Sequence, residues 1–219
     1  MPQTTPTPAL VIFDCDGVLV DSETISNQAL VDNLARYGLN LDLAGSMSLF
    51  VGSTMTGVMD KARNLGADLH DGWIDEVYQE TYAALENGVD LIPGIPELLQ
   101  TLDRAGIPTC VASNGSEHKM QITLGQNGLW QRFHHAMFSA HALGMSKPDP
   151  GLFLAAASHF NVQARDCLVI EDSPTGALAA ARAGMRCLGY AAITPAETLS
   201  DQGAEVIRDM SDVARLIGL

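Results

Sequence analysis

Leu10-Val11-Ile12-Phe13-Asp14-Cys15-Asp16-Gly17-Val18-Leu19-Val20-Asp21-Ser22-Glu23 sets the plan of the chain. Its apolar start, with β-branched Val11 and Ile12, reads as a fully buried strand. The run breaks at two carboxylates one residue apart, followed by a glycine that lets the backbone turn away. In open α/β sheets ligands bind beyond the carboxyl ends of the strands, so Asp14 and Asp16 are placed to face such a crevice. Residues two apart along a strand share a face. Like charges held close cost free energy, and a bound cation is the simplest remedy.

Outward from this strand the pattern is first helical. Asp21 and Ser22 can cap a helix from about Glu23 to Tyr37, with Gly38 as its stop. A second helix follows Gly52-Ser53, where Met55, Val58, Met59 and Ala62 repeat at helical spacing, and a third runs from about Trp73 to Leu85. Residues 22–89 thus read as an inserted all-α unit. From Ile92 onward helices and strands alternate. Helices are expected at about Ile95 to Arg104, Glu117 to Asn127, Gly151 to Phe160, Pro174 to Ala183 and Ser211 to Leu216. Strands are expected at Pro108 to Ser113, Ala136 to Ser139, Cys167 to Ile170 and Arg186 to Tyr190. That alternation predicts an α/β fold, a parallel sheet covered on both faces, built from residues 1–21 and 90–219.

Composition narrows the classes of function. With 219 residues, 47% of them hydrophobic, the chain can bury a sizeable core. Acidic residues outnumber basic ones 26 to 12, for a formal charge of −14. Non-specific nucleic-acid affinity rests on Lys and Arg neutralising phosphates, so no nucleic-acid partner is expected. An anionic substrate must then be captured by local positive groups. No apolar run reaches membrane-spanning length, and Met1 to Pro8 reads as a short frayed tail. Cys15, Cys110, Cys167 and Cys187 lack metal-ligand spacing, which fits reduced thiols in a cytoplasmic protein.

Four predicted strand ends or loops deliver polar groups to one edge of that sheet. The first carries Asp14 and Asp16. The second, Ser113-Asn114-Gly115, offers a hydroxyl and backbone N–H groups before a helix N-terminus, a ready anion site. Lys147 stands in Lys147-Pro148-Asp149-Pro150, held between rigid residues and suited to act as a point charge on phosphate. Glu171-Asp172-Ser173 follows the last buried run. Taken singly, these are also a turn, a helix cap, a surface lysine and a helix entry; together they are oxygen ligands for Mg²⁺ with donors for phosphate. Zinc is disfavoured, because neither Cys nor His spacing supports it. A metal with phosphate donors implies phosphoryl chemistry.

The ordered set Asp14-x-Asp16-Gly17, Ser113-Asn114, Lys147-Pro148 and Glu171-Asp172 resembles the haloacid dehalogenase superfamily of phosphohydrolases, in the group with an inserted helical cap. The resemblance implies a Rossmann-like core and assigns the cap to residues 22–89. It implies Asp14 as nucleophile, through an aspartyl-phosphate, and Asp16 as the acid and base that also gives its main-chain carbonyl to Mg²⁺. Asp14 and Asp172 would hold the metal by their side chains, with Glu171 bound directly or through water. Ser113, the Asn114 backbone and Lys147 would grip the phosphoryl oxygens. The expected substrate is a small phosphorylated metabolite, a sugar phosphate or sugar-acid phosphate, and the expected state is a monomer.

Asp16 argues against dehalogenation, because a halide leaves without a proton whereas an alkoxide does not. The competing enzyme is a phosphosugar mutase of the β-phosphoglucomutase type. Ser26 and Met55 stand where that pattern has a His and, nearby, an Arg, which favours a phosphatase. A non-catalytic relative would be expected to lack Asp14 or Asp16. Glu23, Asn27, Ser53 and Thr54 are candidate contacts for the leaving group, and the cap is expected to swing on hinges near Asp21 and Val89 to Pro93. His118 reads as a surface position, and His134-His135 lack the partner spacing that metal or acid–base work would need; Trp73, Trp130 and Met47, Met55 and Met59 read as packing, and Cys15 as a packed small residue.

Overall fold

The computed structural model describes residues 7–50 and 53–219. Most of the expected N-terminal tail lies outside them, as does Gly52 of the Gly52-Ser53 helix entry; of the tail, Pro8 is already buried. The chain divides into two compact units, one of Met1–Asp21 with Asp90–Leu219 and one of Ser22–Val89.

The first unit is a parallel sheet in the order β3-β2-β1-β4-β5-β6. Its strands are β1 (Leu10–Phe13), β2 (Thr109–Ser113), β3 (Met137–Ser139), β4 (Cys167–Glu171), β5 (Arg186–Tyr190) and β6 (Glu205–Ile207). This is the doubly wound, Rossmann-like order, and it puts β1 at the switch point between strands that lead to opposite edges. Ile12 pairs with Cys110 on one side and Val169 on the other. Every residue of β1 is fully buried, as expected for a strand covered on both faces. One face carries Leu10, Ile12, Ala112 and Val169 against Leu152, Phe153, Ala177 and Ala180.

The second unit holds α1 (Glu23–Arg36), α2 (Leu43–Phe50), α3 (Met55–Asn64) and α4 (Trp73–Glu86), with no strand among its described residues. Its core is Leu30, Leu34, Phe50, Val58, Ala62, Trp73 and Val77, with Met55 and Met59 packed against it. Trp73 is fully buried and donates its indole N–H to Asn33 Oδ1 at 2.6 Å. The remaining helices belong to the first unit: α5 (Ile95–Arg104), α6 (Glu117–Gln126), α7 (Trp130–Phe133), α8 (Ala140–Leu143), α9 (Gly151–His159), α10 (Pro174–Ala183), α11 (Ala196–Ser200) and α12 (Asp212–Leu216).

Several elements differ from the sequence expectation. Helix α2 was not expected, because Gly and Ser dilute its apolar pattern; Asp42 starts it by accepting the Gly45 N–H at 2.7 Å. Strand β6 is a three-residue edge strand, too short to display an alternation. Ser22 occupies the position before α1, but its side chain does not cap that helix. Where the chain passes between units, Val20 pairs with Leu91 antiparallel and the Asp21 N–H donates to Asp90 O at 2.9 Å.

Candidate active site

The carboxyl ends of β1, β2 and β4 converge because these strands are neighbours in register, Phe13 opposite Val111 and Ile170. Asp14 follows β1 directly, Ser113 ends β2, Glu171 ends β4 and Asp172 follows it. All four side chains are buried, and so is Lys147. The fold therefore gathers ionisable groups where water cannot solvate them, and they solvate one another.

Lys147 Nζ lies 2.5 Å from Asp14 Oδ1 and 2.6 Å from Glu171 Oε1. It also stands over the Phe153 ring, 5.1 Å from its centroid. Burial works against the charge on Lys147, but the two carboxylates outweigh it and its pKa lies above the ordinary lysine value. Burial pushes the Asp14 carboxyl up to about 7; Lys147 pulls the other way, and Glu171 and Asp16 add like-charge repulsion.

Each of these groups is held from behind. The Asn114 side chain accepts the Lys147 main-chain N–H at 2.9 Å and donates to Lys147 O at 3.3 Å. Glu171 Oε2 accepts from Ser173 N at 2.7 Å and from Ser173 Oγ at 2.8 Å. The Ser173 hydroxyl in turn accepts the Gly176 N–H at 3.0 Å and so caps α10. Two glycines permit this closeness. A Cβ on Gly17, whose φ is 72°, would overlap the Asp172 carboxylate, and a Cβ on Gly176 would overlap that of Glu171.

Asp16 is less deeply buried, and its Oδ1 lies 2.9 Å from Lys119 Nζ on α6. Burial opposes the Lys119 charge, but Asp16 outweighs it and the ammonium's pKa is raised. Ser113 Oγ accepts the Gly115 N–H at 2.9 Å; the cap of α6 is Ser116, which accepts Lys119 N at 3.1 Å.

One oxygen from each of Asp14, Glu171 and Asp172 lies within 4.8 Å of the others. The donor set would suit a hard cation, since all three groups are carboxylates. Charge points the same way: three carboxylates against the single Lys147 ammonium leave two negative charges when all are ionised, which a divalent cation would balance. Both Glu171 oxygens already have protein partners, an arrangement suited to contact through a water.

The structure thus brings Asp14, Asp16, Ser113, Asn114, Lys147, Glu171 and Asp172 to one edge of the sheet. The Asn114 side chain has a further task, bracing Lys147. Sequence reasoning missed Ser173 as the anchor of Glu171 and Lys119 as the partner of Asp16. The spacing Ser116-x-x-Lys119 was a readable signal for the second, since it puts the lysine in the first turn of a helix beginning at the sheet edge. Of the other residues, Cys15 is buried, and burial together with Asp16 and Asp14 pushes its thiol well above the ordinary value. In the second unit Asn27 donates to Glu23 O at 2.9 Å, Ser53 Oγ accepts from Lys61 at 2.8 Å, and Thr54 caps α3.

A sheet of this order with acids, a lysine and a hydroxyl at its switch point defines a class of phosphoryl-handling α/β hydrolases. The model of the family described as haloacid dehalogenase-like hydrolase matches residues 8–184, and the chain belongs to that family. Within it the chain is a phosphoric monoester hydrolase. The 6-phosphogluconate phosphatase of Escherichia coli K12 is 33% identical over 184 residues, which cover 83% of this chain and 82% of that one. A haloacid dehalogenase-like protein of unknown function from Agrobacterium tumefaciens superposes with a TM-score of 0.86 at 34% identity, covering 95% of this chain and 97% of that one. A family hydrolase from Deinococcus radiodurans R1, solved with bound phosphate and sodium, gives a TM-score of 0.81 at 31% identity, over 96% and 95% of the two chains. No helix among the described residues is long and apolar enough to cross a membrane.

Proposed function

We propose that this protein is a Mg²⁺-dependent phosphatase of small phosphorylated metabolites, a sugar phosphate or sugar-acid phosphate, working through an aspartyl-phosphate on Asp14 in the cytoplasm. The observation that carries it is the buried Asp14–Lys147–Glu171 ion cluster beside Asp172 at the end of β1. The Escherichia coli relative named 6-phosphogluconate phosphatase supports the substrate class.

In the first half-reaction an Asp14 carboxylate oxygen forms a bond to phosphorus as the ester P–O bond breaks, and Asp16 gives the departing alkoxide a proton. In the second, water attacks the phosphorus, Asp16 takes the water's proton, and the Asp14–phosphorus bond breaks to release inorganic phosphate. Ser113 Oγ, the Asn114 main-chain N–H and the Lys147 ammonium bind the transferring oxygens. Lys147 meets Asp14 Oδ1 and so stands where its charge can offset that of the transferring phosphoryl oxygens. The side chains of Asp14 and Asp172 and the Asp16 carbonyl would hold Mg²⁺, with Glu171 through water; bound there, the ion neutralises phosphoryl charge. The mutase alternative is not favoured: Ser26 stands where the mutase resemblance would call for a His, and Met55 lies near where it would call for an Arg.

The test is Mg²⁺-dependent release of phosphate from p-nitrophenyl phosphate, followed by kcat/KM across phosphorylated sugars and sugar acids. Activity that disappears with a chelator and returns with Mg²⁺ is expected. A folded, metal-loaded sample with no turnover overturns the reading.

A further inference from the structure

Three successive residues after β1 are tied down, the first by Lys147 and the other two by α6. Asp14 meets Lys147 at 2.5 Å, Cys15 Sγ lies 3.9 Å from Thr123 Oγ1, and Asp16 meets Lys119 at 2.9 Å. Lys119 and Thr123 are one turn apart on α6, and Thr123 Oγ1 donates to Lys119 O at 3.1 Å. The start of α6 is itself fixed. Ser116 caps it through Lys119 N, while Gly115 donates to Ser113 Oγ and accepts from Ser139 Oγ at 2.8 Å. The backbone carrying Lys119 is therefore pinned to the ends of β2 and β3. The Lys119 and Asp16 side chains are each only 20% exposed. A lysine so placed gives up hydration and rotamer freedom that a surface lysine keeps.

The proposed chemistry uses Lys147 as its cation and leaves Lys119 without a task. We infer that Lys119 is a positioning residue for the leaving-group step: its ammonium holds the Asp16 carboxyl by Oδ1 and leaves Oδ2 to carry the proton, so that the group protonating the alcohol stands at a fixed place beside Asp14. This rests on the acid role of Asp16 proposed above. Proton transfer needs the donor within hydrogen-bond reach of the departing oxygen, and a displacement of about 1 Å can cost on the order of a hundredfold.

The experiment compares Lys119→Met, Lys119→Arg and Asp16→Asn on two substrates, an alkyl phosphate such as glycerol phosphate and p-nitrophenyl phosphate, whose phenolate leaves without a proton. Because kcat/KM reports events up to the first phosphoryl transfer, it isolates this step. Lys119→Met is expected to lower kcat/KM for the alkyl ester by about tenfold or more, and for the aryl ester by less than about threefold. The loss should fall in kcat more than in KM, and Lys119→Arg should recover most of it. Equal loss on both substrates places Lys119 on the phosphoryl group or in the fold and overturns the inference, as does no loss at all. Asp16→Asn separates the two readings. If it is selective for the alkyl ester while Lys119→Met is not, only the positioning role fails; if it is unselective, the acid assignment fails and the inference with it. Should Lys119→Met not fold, Lys119→Gln and Lys119→Arg carry the same comparison.

Discussion

The two units use the same residue types to opposite ends. At the sheet edge the Lys147, Asp14 and Glu171 side chains are 2%, 10% and 1% exposed. In the helical unit Arg36 bridges to Glu76 and Glu80 with side-chain exposures of 51%, 31% and 38%. The carboxyl groups respond in opposite directions, Asp14 pushed up to about 7 by burial and Glu76 pulled down to about 2 by the hydrogen bonds it accepts. A buried cluster costs desolvation that its own attraction does not reliably repay, and apolar replacement of such clusters is often neutral or stabilising. A half-exposed network desolvates little and contributes modestly. The first arrangement is therefore poorly explained by stability and well explained by chemistry. The second joins α1 to α4 and needs no other explanation.

The largest effect expected is that of Asp14→Asn. It removes the attacking oxygen, and turnover should fall by at least about a thousandfold. The fold should stand, since the substitution removes one of three crowded acids while Lys147 keeps Glu171. Circular dichroism with a phosphate-release assay checks both halves, and retained turnover would break the nucleophile assignment. Lys147→Met comes next and should differ in kind. It leaves buried carboxylates without their cation, a loss of about 3–5 kcal/mol, and it should also cost activity. A denaturant midpoint no lower than wild type would show that Lys147, Asp14 and Glu171 are not a buried, mutually dependent group.

How far the sequence could be read follows the same division. The acids at the sheet edge were legible because each follows a strong apolar run: Leu10–Phe13 before Asp14, and Cys167–Ile170 before Glu171-Asp172. A buried parallel strand announces its own end, and the end is where chemistry sits. Lys147 was legible through its Pro-rich frame. The bracing groups were not. Asn114 reaching Lys147 across 33 residues, or Ser173 serving Glu171 and α10 together, depends on side-chain direction, which spacing does not encode. In the helical unit the Met55-Val58-Met59-Ala62 stripe was readable, whereas α2 was hidden because its buried positions include Ser46 alongside Phe50. The Asn33–Trp73 contact joins residues 40 apart and left no local pattern.

The smallest effect concerns Glu76, which tests the structural half of the contrast. Its carboxylate accepts from His70 Nε2 at 2.9 Å and Tyr37 OH at 2.8 Å, with Arg36 at 3.3 Å and Asn33 at 3.0 Å. These contacts lower its pKa from the ordinary 4.5 to about 2. A carboxyl whose folded pKa is depressed stabilises the fold fully above its unfolded value, and that contribution is lost as pH falls through the folded one. The window here runs from about pH 4.5 down to about 2. Glu76→Gln removes the titration, so the stability difference between wild type and variant should be largest at pH 7, shrink below pH 5 and be small near pH 2. Because the group is half-exposed, high salt should compress the whole difference. Thermal midpoints of the two proteins at pH 7, 4 and 3 measure it. A difference that stays constant across that range would mean that Glu76 holds α1 and α4 by shape and hydrogen bonding alone, and its charge would drop out of the comparison with Asp14.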